Sequence, residues 1–86
     1  MAQQLTDADL AAIKNRCNRA TKGPWKSYVE GRDHSSGSNF IMTDGEDSYL
    51  SGAPIADQDF IAEARQDIPN LVAEIERLTK LLAPKT

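Results

Sequence analysis

The sequence predicts an α+β fold with an N-terminal helix, a small antiparallel β-hairpin or three-stranded meander, and two C-terminal helices broken at Pro69. Three observations lead to this prediction. Residues 6–22 begin with a helix-capping signal and continue with apolar side chains at helical spacing. Residues 25–51 alternate apolar and polar side chains between glycine-containing turns, which is typical of short strands. Residues 57–82 combine strong helix formers with one interior proline, which predicts two consecutive helices.

The first helix is predicted over residues 6–22. Thr6 is a good N-cap, and Asp9 follows three residues later, as in a capping box. The apolar face of this helix consists of Leu10, Ile13, Cys17 and Ala20. Cys17 occupies a position for a small apolar side chain, so we expect a buried thiol that does not act as a nucleophile. Gly23 is expected to end the helix in the left-handed conformation.

The β region is predicted over residues 25–51. Alternation places Trp25, Ser27 and Val29 on one face of its first strand. Asp44-Gly45 is a turn signal between two later strands. The predicted segments are a first strand at 25–30, a mobile loop at 31–38, a second strand at 39–43 and a third short strand at 48–50.

Two C-terminal helices are predicted, one over residues 57–67 and one over 69–82. Proline disfavours a helical residue before it and suits the first turn of a new helix. Asp57 is the expected N-cap of the earlier helix, which we expect to bury Phe60, Ile61 and Ala64. The later helix carries apolar residues at alternating steps of three and four, the pattern of a coiled-coil seam, namely Ile68, Leu71, Ile75, Leu78 and Leu82.

The length of 86 residues predicts a single small domain, residues 1–86, that buries only about 60–65% of its unfolded surface. A homo-oligomer that covers the apolar seam would stabilise such a chain, and a monomeric αα-hairpin that covers the same seam is the alternative. Cys17 is the only cysteine, which excludes an intrachain disulfide and favours the cytoplasm. We expect no membrane partner, since there is no signal-peptide pattern and no apolar run of bilayer length.

The net charge of −3 is unevenly distributed. Residues 1–28 contain five basic and two acidic side chains, which gives +3. Residues 29–68 contain two basic and nine acidic side chains, which gives −7, and residues 69–86 contribute +1. The acidic middle disfavours general nucleic-acid binding by the whole domain. The blocks also fit an ordinary solvated surface.

The sequence lacks the motifs of catalysis, metal binding and cofactor binding. His34 lies in the predicted mobile loop, which does not provide the rigid geometry of a catalytic dyad. The carboxylates of Asp44, Glu46 and Asp47 do not have the spacing of a calcium loop. Zinc spacings, a P-loop and a dinucleotide fingerprint are absent from the sequence. We therefore expect a protein that is not an enzyme and has neither a cofactor nor a metal site.

The strongest candidate binding site surrounds the end of the first helix. Guanidinium groups near an indole suit a phosphorylated ligand with a stackable ring, such as a nucleotide. The predicted ligand-binding residues are Arg16, Arg19, Lys22, Trp25, Lys26, Tyr28 and Arg65. Two alternatives stay open: Trp25 is a core aromatic, and Arg65 forms an ion pair with Asp59 or Glu63.

Two segments carry a resemblance to a known group of proteins: RCNRATKGPW at 16–25 and DQDFIAEARQDIPNLVAEIERL at 57–78. They resemble small proteins of phages, prophages and actinobacteria, among them phage early proteins labelled Ead-like, and cover about 32 of the 86 residues. Lys22 stands where the pattern usually has proline. The matching residues are Arg16, Cys17, Ala20, Thr21, Gly23, Pro24, Trp25, Phe60, Ala64, Arg65, Asp67 and Pro69.

This resemblance implies an accessory protein that acts in the cytoplasm of an infected host cell. Our leading hypothesis is a non-catalytic anti-defence protein, an oligomeric sponge that binds a phosphate-containing immune signal of the nucleotide type. One alternative is an inhibitor or adaptor whose acidic surface, residues 29–68, binds a basic host or defence protein. Another is a purely structural oligomer without a ligand.

Overall fold

A computed structural model describes residues 5–35 and 37–83 of the chain. Its elements are helix α1 (Asp7–Arg19), strand β1 (Lys26–Tyr28), strand β2 (Phe40–Met42) and helix α2 (Ile55–Leu82). The predicted combination of an N-terminal helix, an antiparallel hairpin and C-terminal helical structure is confirmed. The predicted number of helices is wrong, because the described residues contain two and not three.

Helix α1 starts with the predicted capping box. The Thr6 hydroxyl accepts a hydrogen bond from the Asp9 backbone N–H at 3.1 Å, and the Asp9 carboxylate accepts one from the Thr6 N–H at 2.9 Å. These bonds satisfy two N–H groups that a helix start leaves without partners. The Thr6 backbone bond, followed by the Thr6 hydroxyl, lowers the pKa of Asp9. Helix α1 ends at Arg19, three residues earlier than predicted.

Gly23 does not end α1 in the left-handed conformation, so that prediction is wrong. Its role is to allow close packing on α2. A Cβ at this position would lie 3.2 Å from Gln66 Oε1 and 3.3 Å from Arg65 Cγ, which is closer than side chains normally pack. Glycine therefore allows the chain between α1 and β1 to approach α2 closely, and a larger residue would require Gln66 or Arg65 to shift.

Strands β1 and β2 pair in antiparallel register, with Ser27 opposite Ile41 at the centre. Both central residues face α2 and are buried. The predicted third strand is reduced to one bridge, in which Ile41 and Ser48 exchange two backbone hydrogen bonds of 2.8 Å. In the 31–38 segment, residues 31–34 form a turn tied to Val29 and His34 by backbone hydrogen bonds, and the mobility of this segment stays a prediction.

Helix α2 runs without interruption for 28 residues and contains Pro69, so the predicted break is wrong. It begins at Ile55 after Pro54 as N-cap, and Asp57 lies in its first turn instead of capping it. An interior proline costs a helix about 3 kcal/mol because it removes a hydrogen bond and crowds the preceding turn. The helix is anchored on both sides of Pro69, by Ala62 against the hairpin side and by Val72 beyond it, and this tertiary packing outweighs the local preference.

The buried apolar residues among those described are Val29, Ile41, Ala62 and Val72. The expected burial of Phe60 is wrong, since its side chain is 74% exposed. Ile61 is also exposed, and Ala64 and Cys17 are half-buried instead of buried. The reason is that α2 turns a face with small and polar residues toward the hairpin, while its most apolar face points outward. Within the described ranges, no helix combines the length and apolar character that a membrane crossing requires.

Candidate functional site

A cleft of about 460 Å³ lies between α1, the segment that follows it, and the middle of α2. Its walls are mostly apolar, and the charged residues among those that line it are two arginines, with no carboxylate. The lining residues are Ile13, Arg16, Cys17, Ala20, Trp25, Ile61, Ala64, Arg65, Ile68 and Pro69. We refer to this feature as the α1/α2 cleft.

The backbone carbonyl of Thr21 positions two side chains of the cleft. It accepts a hydrogen bond from Trp25 Nε1 at 3.0 Å and another from Arg65 Nε at 2.9 Å. Because the carbonyl oxygen has two lone pairs, both bonds can form together. The indole and the guanidinium group are thereby fixed beside each other. The alternative ion pair of Arg65 with Asp59 or Glu63 does not occur among the described residues.

Gln66 fixes the backbone of Trp25 to α2. Its carbonyl oxygen accepts a hydrogen bond from Trp25 N, and its amide nitrogen donates to Trp25 O at 3.2 Å. Eight residues earlier on the same helix, Gln58 donates to Ser27 Oγ and to the carbonyls of Tyr28 and Phe40. Neither glutamine is among the predicted site residues. Their spacing of eight residues, which places both on one helical face, was the available signal.

The structure divides the predicted ligand-binding residues into separate groups. Arg16, Trp25 and Arg65 meet in the α1/α2 cleft, together with Cys17. Arg19 and Lys22 are exposed and do not line the cleft. Lys26 and Tyr28 lie on the outer face of the hairpin, where Lys26 Nζ is 4.9 Å from the centre of the Tyr28 ring. The structure therefore brings three of the seven predicted residues to one cleft and places the other four outside it.

The outer face of the hairpin carries a group of aromatic rings that the sequence analysis did not identify. Tyr28 stacks on Phe40 with ring centres 5.2 Å apart, and Phe40 contacts Tyr49 at 5.8 Å and His34 at 5.5 Å. These rings come from segments up to 21 positions apart, and only the strand register brings them together. Composition and alternation alone do not reveal such a contact.

An ion-pair cluster joins the 31–34 turn to α2. Both terminal nitrogens of Arg32 bind the Asp59 carboxylate, at 2.8 and 3.0 Å, and Arg32 also contacts Asp33. The Arg32 hydrogen bonds, followed by one from Ser27, lower the pKa of Asp59 to about 2, and they raise the pKa of Arg32. Asp33 accepts a bond from the Val29 backbone N–H at 2.8 Å, which lowers the pKa of its carboxyl group.

The five predicted seam residues lie along one side of α2. Ile68, Leu71, Leu78 and Leu82 are exposed, and Ile75 is half-buried. The first of them also lines the α1/α2 cleft. Within the described chain, α1 does not cover the seam, whereas a monomeric αα-hairpin would require the seam to be covered.

No group of three or more metal-ligating side chains occurs within residues 5–35 and 37–83. Compared with known proteins, the chain matches no family model, no curated protein and no solved structure. The resemblance to small phage proteins therefore stays a prediction from the sequence.

Proposed function

We propose that the protein is a non-catalytic binding protein that works as a homo-oligomer and holds a phosphate-bearing ring compound of the nucleotide class in the α1/α2 cleft. The observation that carries the proposal is the charge of the cleft. In a chain with a net charge of −3, this cleft has two arginines and no carboxylate among its lining residues.

The size and chemistry of the cleft suit such a ligand. A volume of about 460 Å³ is within the range of about 300–1,000 Å³ that is usual for small-molecule sites. The guanidinium groups of Arg16 and Arg65 are planar donors that match the oxygens of a phosphate group. The indole of Trp25 and the apolar walls offer surface for a ring. Arg65 uses its Nε for Thr21, so its terminal nitrogens are the groups we assign to phosphate.

The oligomer is part of this proposal because the cleft opens onto the seam. Ile61, Ala64 and Ile68 line the cleft and continue into the exposed stripe on α2. A second copy packed on that stripe would border the cleft and exclude water from the ligand. Exclusion of water strengthens the attraction between the arginines and a phosphate group.

The setting of this binding is proposed from the sequence resemblance. Nine of the ten lining residues belong to the two segments that resemble phage proteins, 16–25 and 57–78, and Ile13 is the exception. The two segments thus meet in one cleft, which is what a shared binding function would require. We propose that the protein sequesters a nucleotide-type immune signal in the cytoplasm of an infected host cell.

The chain contains its own reporters for a test, because its single tryptophan and single cysteine both line the cleft. Cyclic dinucleotides, cyclic trinucleotides and ADP-ribose are titrated by calorimetry at concentrations where light scattering shows the oligomer. Trp25 fluorescence and the rate of Cys17 alkylation are followed in parallel. We expect saturable heat, a change in fluorescence and slower alkylation with one class of ligand.

Matched variants assign the binding to the cleft. Arg16→Gln and Arg65→Gln are each expected to weaken binding about tenfold or more, the usual effect of removing a hydrogen bond to a charged group. Arg19→Gln, which removes a charge from the same end of α1 outside the cleft, should bind as the unaltered protein does. Absence of heat with every ligand, or binding that leaves the alkylation of Cys17 unchanged, would contradict the proposal.

A further inference from the structure

The face of the hairpin opposite α2 carries three aromatic rings side by side, Tyr28, Phe40 and Tyr49, which we call the aromatic row. Each ring comes from a different chain segment: β1, β2 and the segment bridged to β2 at Ser48. Tyr28 and Phe40 stack with an angle of 12° between their planes, and Phe40 and Tyr49 are tilted by 40°. Tyr49 is 62% exposed, so the row opens to solvent at its outer end.

The row lies on a separate surface from the α1/α2 cleft. The β1 and β2 residues that face α2, Ser27 and Ile41, are buried, whereas Tyr28 and Phe40 project to the opposite side. None of the three rings lines the cleft. Tyr28 and Phe40 are half-buried, and Tyr49 is exposed. Exposed aromatic side chains are a common feature of protein-binding surfaces, where rigid rings give contact area at a low entropic cost.

The rings of this surface already have a cation beside them. Lys26 Nζ lies 4.9 Å from the centre of the Tyr28 ring, within the distance of a cation–π interaction. This lysine comes from the chain itself and covers one ring. Tyr28 is also stacked on Phe40, so Tyr49, which is 62% exposed, is the ring of the row that is most open to a cation from outside.

The carboxylates around the row make this end of the molecule negative. Glu30 follows β1 at a position that alternation places on the face of Tyr28, and the exposed Asp47 directly precedes Ser48, the residue that is bridged to β2. Neither forms an ion pair within the described chain. Arg32 is bound by two aspartates, and Lys26 offsets one of the two carboxylates, so the charge that remains beside the row is negative.

We propose that the aromatic row binds a cationic, extended segment of a partner protein. Arginine or lysine side chains of that segment would lie over the ring faces, and Glu30 and Asp47 would be their counter-ions. Charge decides between this occupant and single-stranded nucleic acid, which also stacks on exposed rings, because the carboxylates repel a phosphate backbone.

The probe for the test is a fluorescein-labelled decapeptide of alternating arginine and serine, measured by fluorescence anisotropy with the full chain. A glutamate–serine decapeptide and a dodecamer of deoxythymidine are the comparison probes. We expect binding of the arginine peptide alone, with an affinity that falls as salt is raised from about 50 to 300 mM because exposed charges are screened. Tighter binding of the oligonucleotide than of the arginine peptide would overturn the proposal.

Substitutions that leave the net charge unchanged distinguish binding by the aromatic rings from general electrostatic attraction. Tyr49→Ala is expected to weaken binding about two- to fivefold, the effect of one exposed cation–π contact, and Tyr49→Phe to retain it. Phe60→Ala removes an exposed ring on α2 outside the row and should bind like the unaltered chain. Circular dichroism confirms that each variant is folded. Equal binding by Tyr49→Ala and the unaltered chain would show that the row is not the site.

Discussion

The carboxamide of Gln58 shows how single polar groups hold this small fold together. The residue is 2% exposed, and the two N–H groups of its amide nitrogen are shared among one hydroxyl and two strand carbonyls at 2.8–3.2 Å. Burial of an amide is tolerated only where its hydrogen bonds are replaced, and here the same bonds satisfy carbonyls of both strands. One side chain therefore fixes the position of the hairpin on α2.

Asp59 gives a prediction of pH dependence at the same scale. Its pKa is about 2 in the folded protein against an ordinary value of 3.8, so the folded state binds fewer protons. The ion pair with Arg32 therefore stabilises the protein above about pH 4, and this contribution is lost as the pH falls toward about 2. Urea unfolding between pH 7 and pH 2.5 measures the free energy of unfolding of the unaltered protein and of Asp59→Asn. The difference between these two free energies should narrow below pH 4.

Glu63→Gln is the control for this measurement. It removes one negative charge from an exposed position of the same helix that forms no ion pair within the described chain. Its unfolding curve should differ from that of the unaltered protein by a small amount at every pH. An Asp59→Asn difference that does not change with pH would mean that the ion pair does not contribute to stability.

Residue-scale contacts could be predicted only where the partners are close in sequence. The capping box of Thr6 and Asp9 was predictable because its two residues are three positions apart and the pattern is specific. The bond from Arg65 to the Thr21 carbonyl joins residues 44 positions apart. A backbone carbonyl is present at every position and leaves no signal in the sequence. This bond was therefore not predictable, although Arg65 itself is among the predicted ligand-binding residues.

At the scale of elements, α2 is continuous, so Pro69 lies inside one helix and does not separate two helices. The positions of the strands and the residues on each strand face could be predicted from the alternation of apolar and polar residues, because the strands are short and the pleat sets their buried face. The helix break was predicted from a local rule that packing on both sides of Pro69 overrides. Sequence patterns report local preference, and they do not report how strongly distant parts of the chain hold a helix straight.

We predict that Pro69→Ala stabilises the protein. The alanine N–H can donate to the carbonyl of Arg65, which stabilises the folded helix. Two losses reduce this gain, because proline restricts the unfolded chain more than alanine does and because its ring contacts the cleft. The expected net increase in the free energy of unfolding is about 1–2 kcal/mol. Urea unfolding followed by circular dichroism measures it. Pro54→Ala, at the N-cap of the same helix, is the control and should leave stability unchanged or slightly lower. Reduced stability of Pro69→Ala would contradict this prediction.

At the scale of the whole molecule, the continuous helix lengthens the apolar seam. Alternating steps of three and four now run without interruption from Ile61 to Leu82, over about 32 Å of helix axis. Four apolar residues are buried among those described, in a molecule that measures 60 × 30 × 19 Å. Such a small core leaves little stability of its own, which favours association through the seam.

Leu78→Glu tests this association. The residue is 44% exposed in the seam, and a charge there should disrupt packing between copies, so light scattering should show a smaller mass than for the unaltered protein. Ile55→Glu is the matched control: it is 47% exposed at the start of the same helix, outside the seam, and should leave the mass unchanged. Equal masses for the unaltered protein and Leu78→Glu would show that the seam does not join copies.

The packing of every earlier element on α2 also has a consequence for synthesis. The buried residues of α2, namely Gln58, Ala62 and Val72, belong to an element that the ribosome makes after α1 and both strands. The first helix and the strands leave the ribosome before any of these side chains exists outside it. Without them, the apolar contacts do not offset the entropy of ordering the chain. We therefore expect α1 and the strands to stay unpacked on the ribosome until α2 has left it.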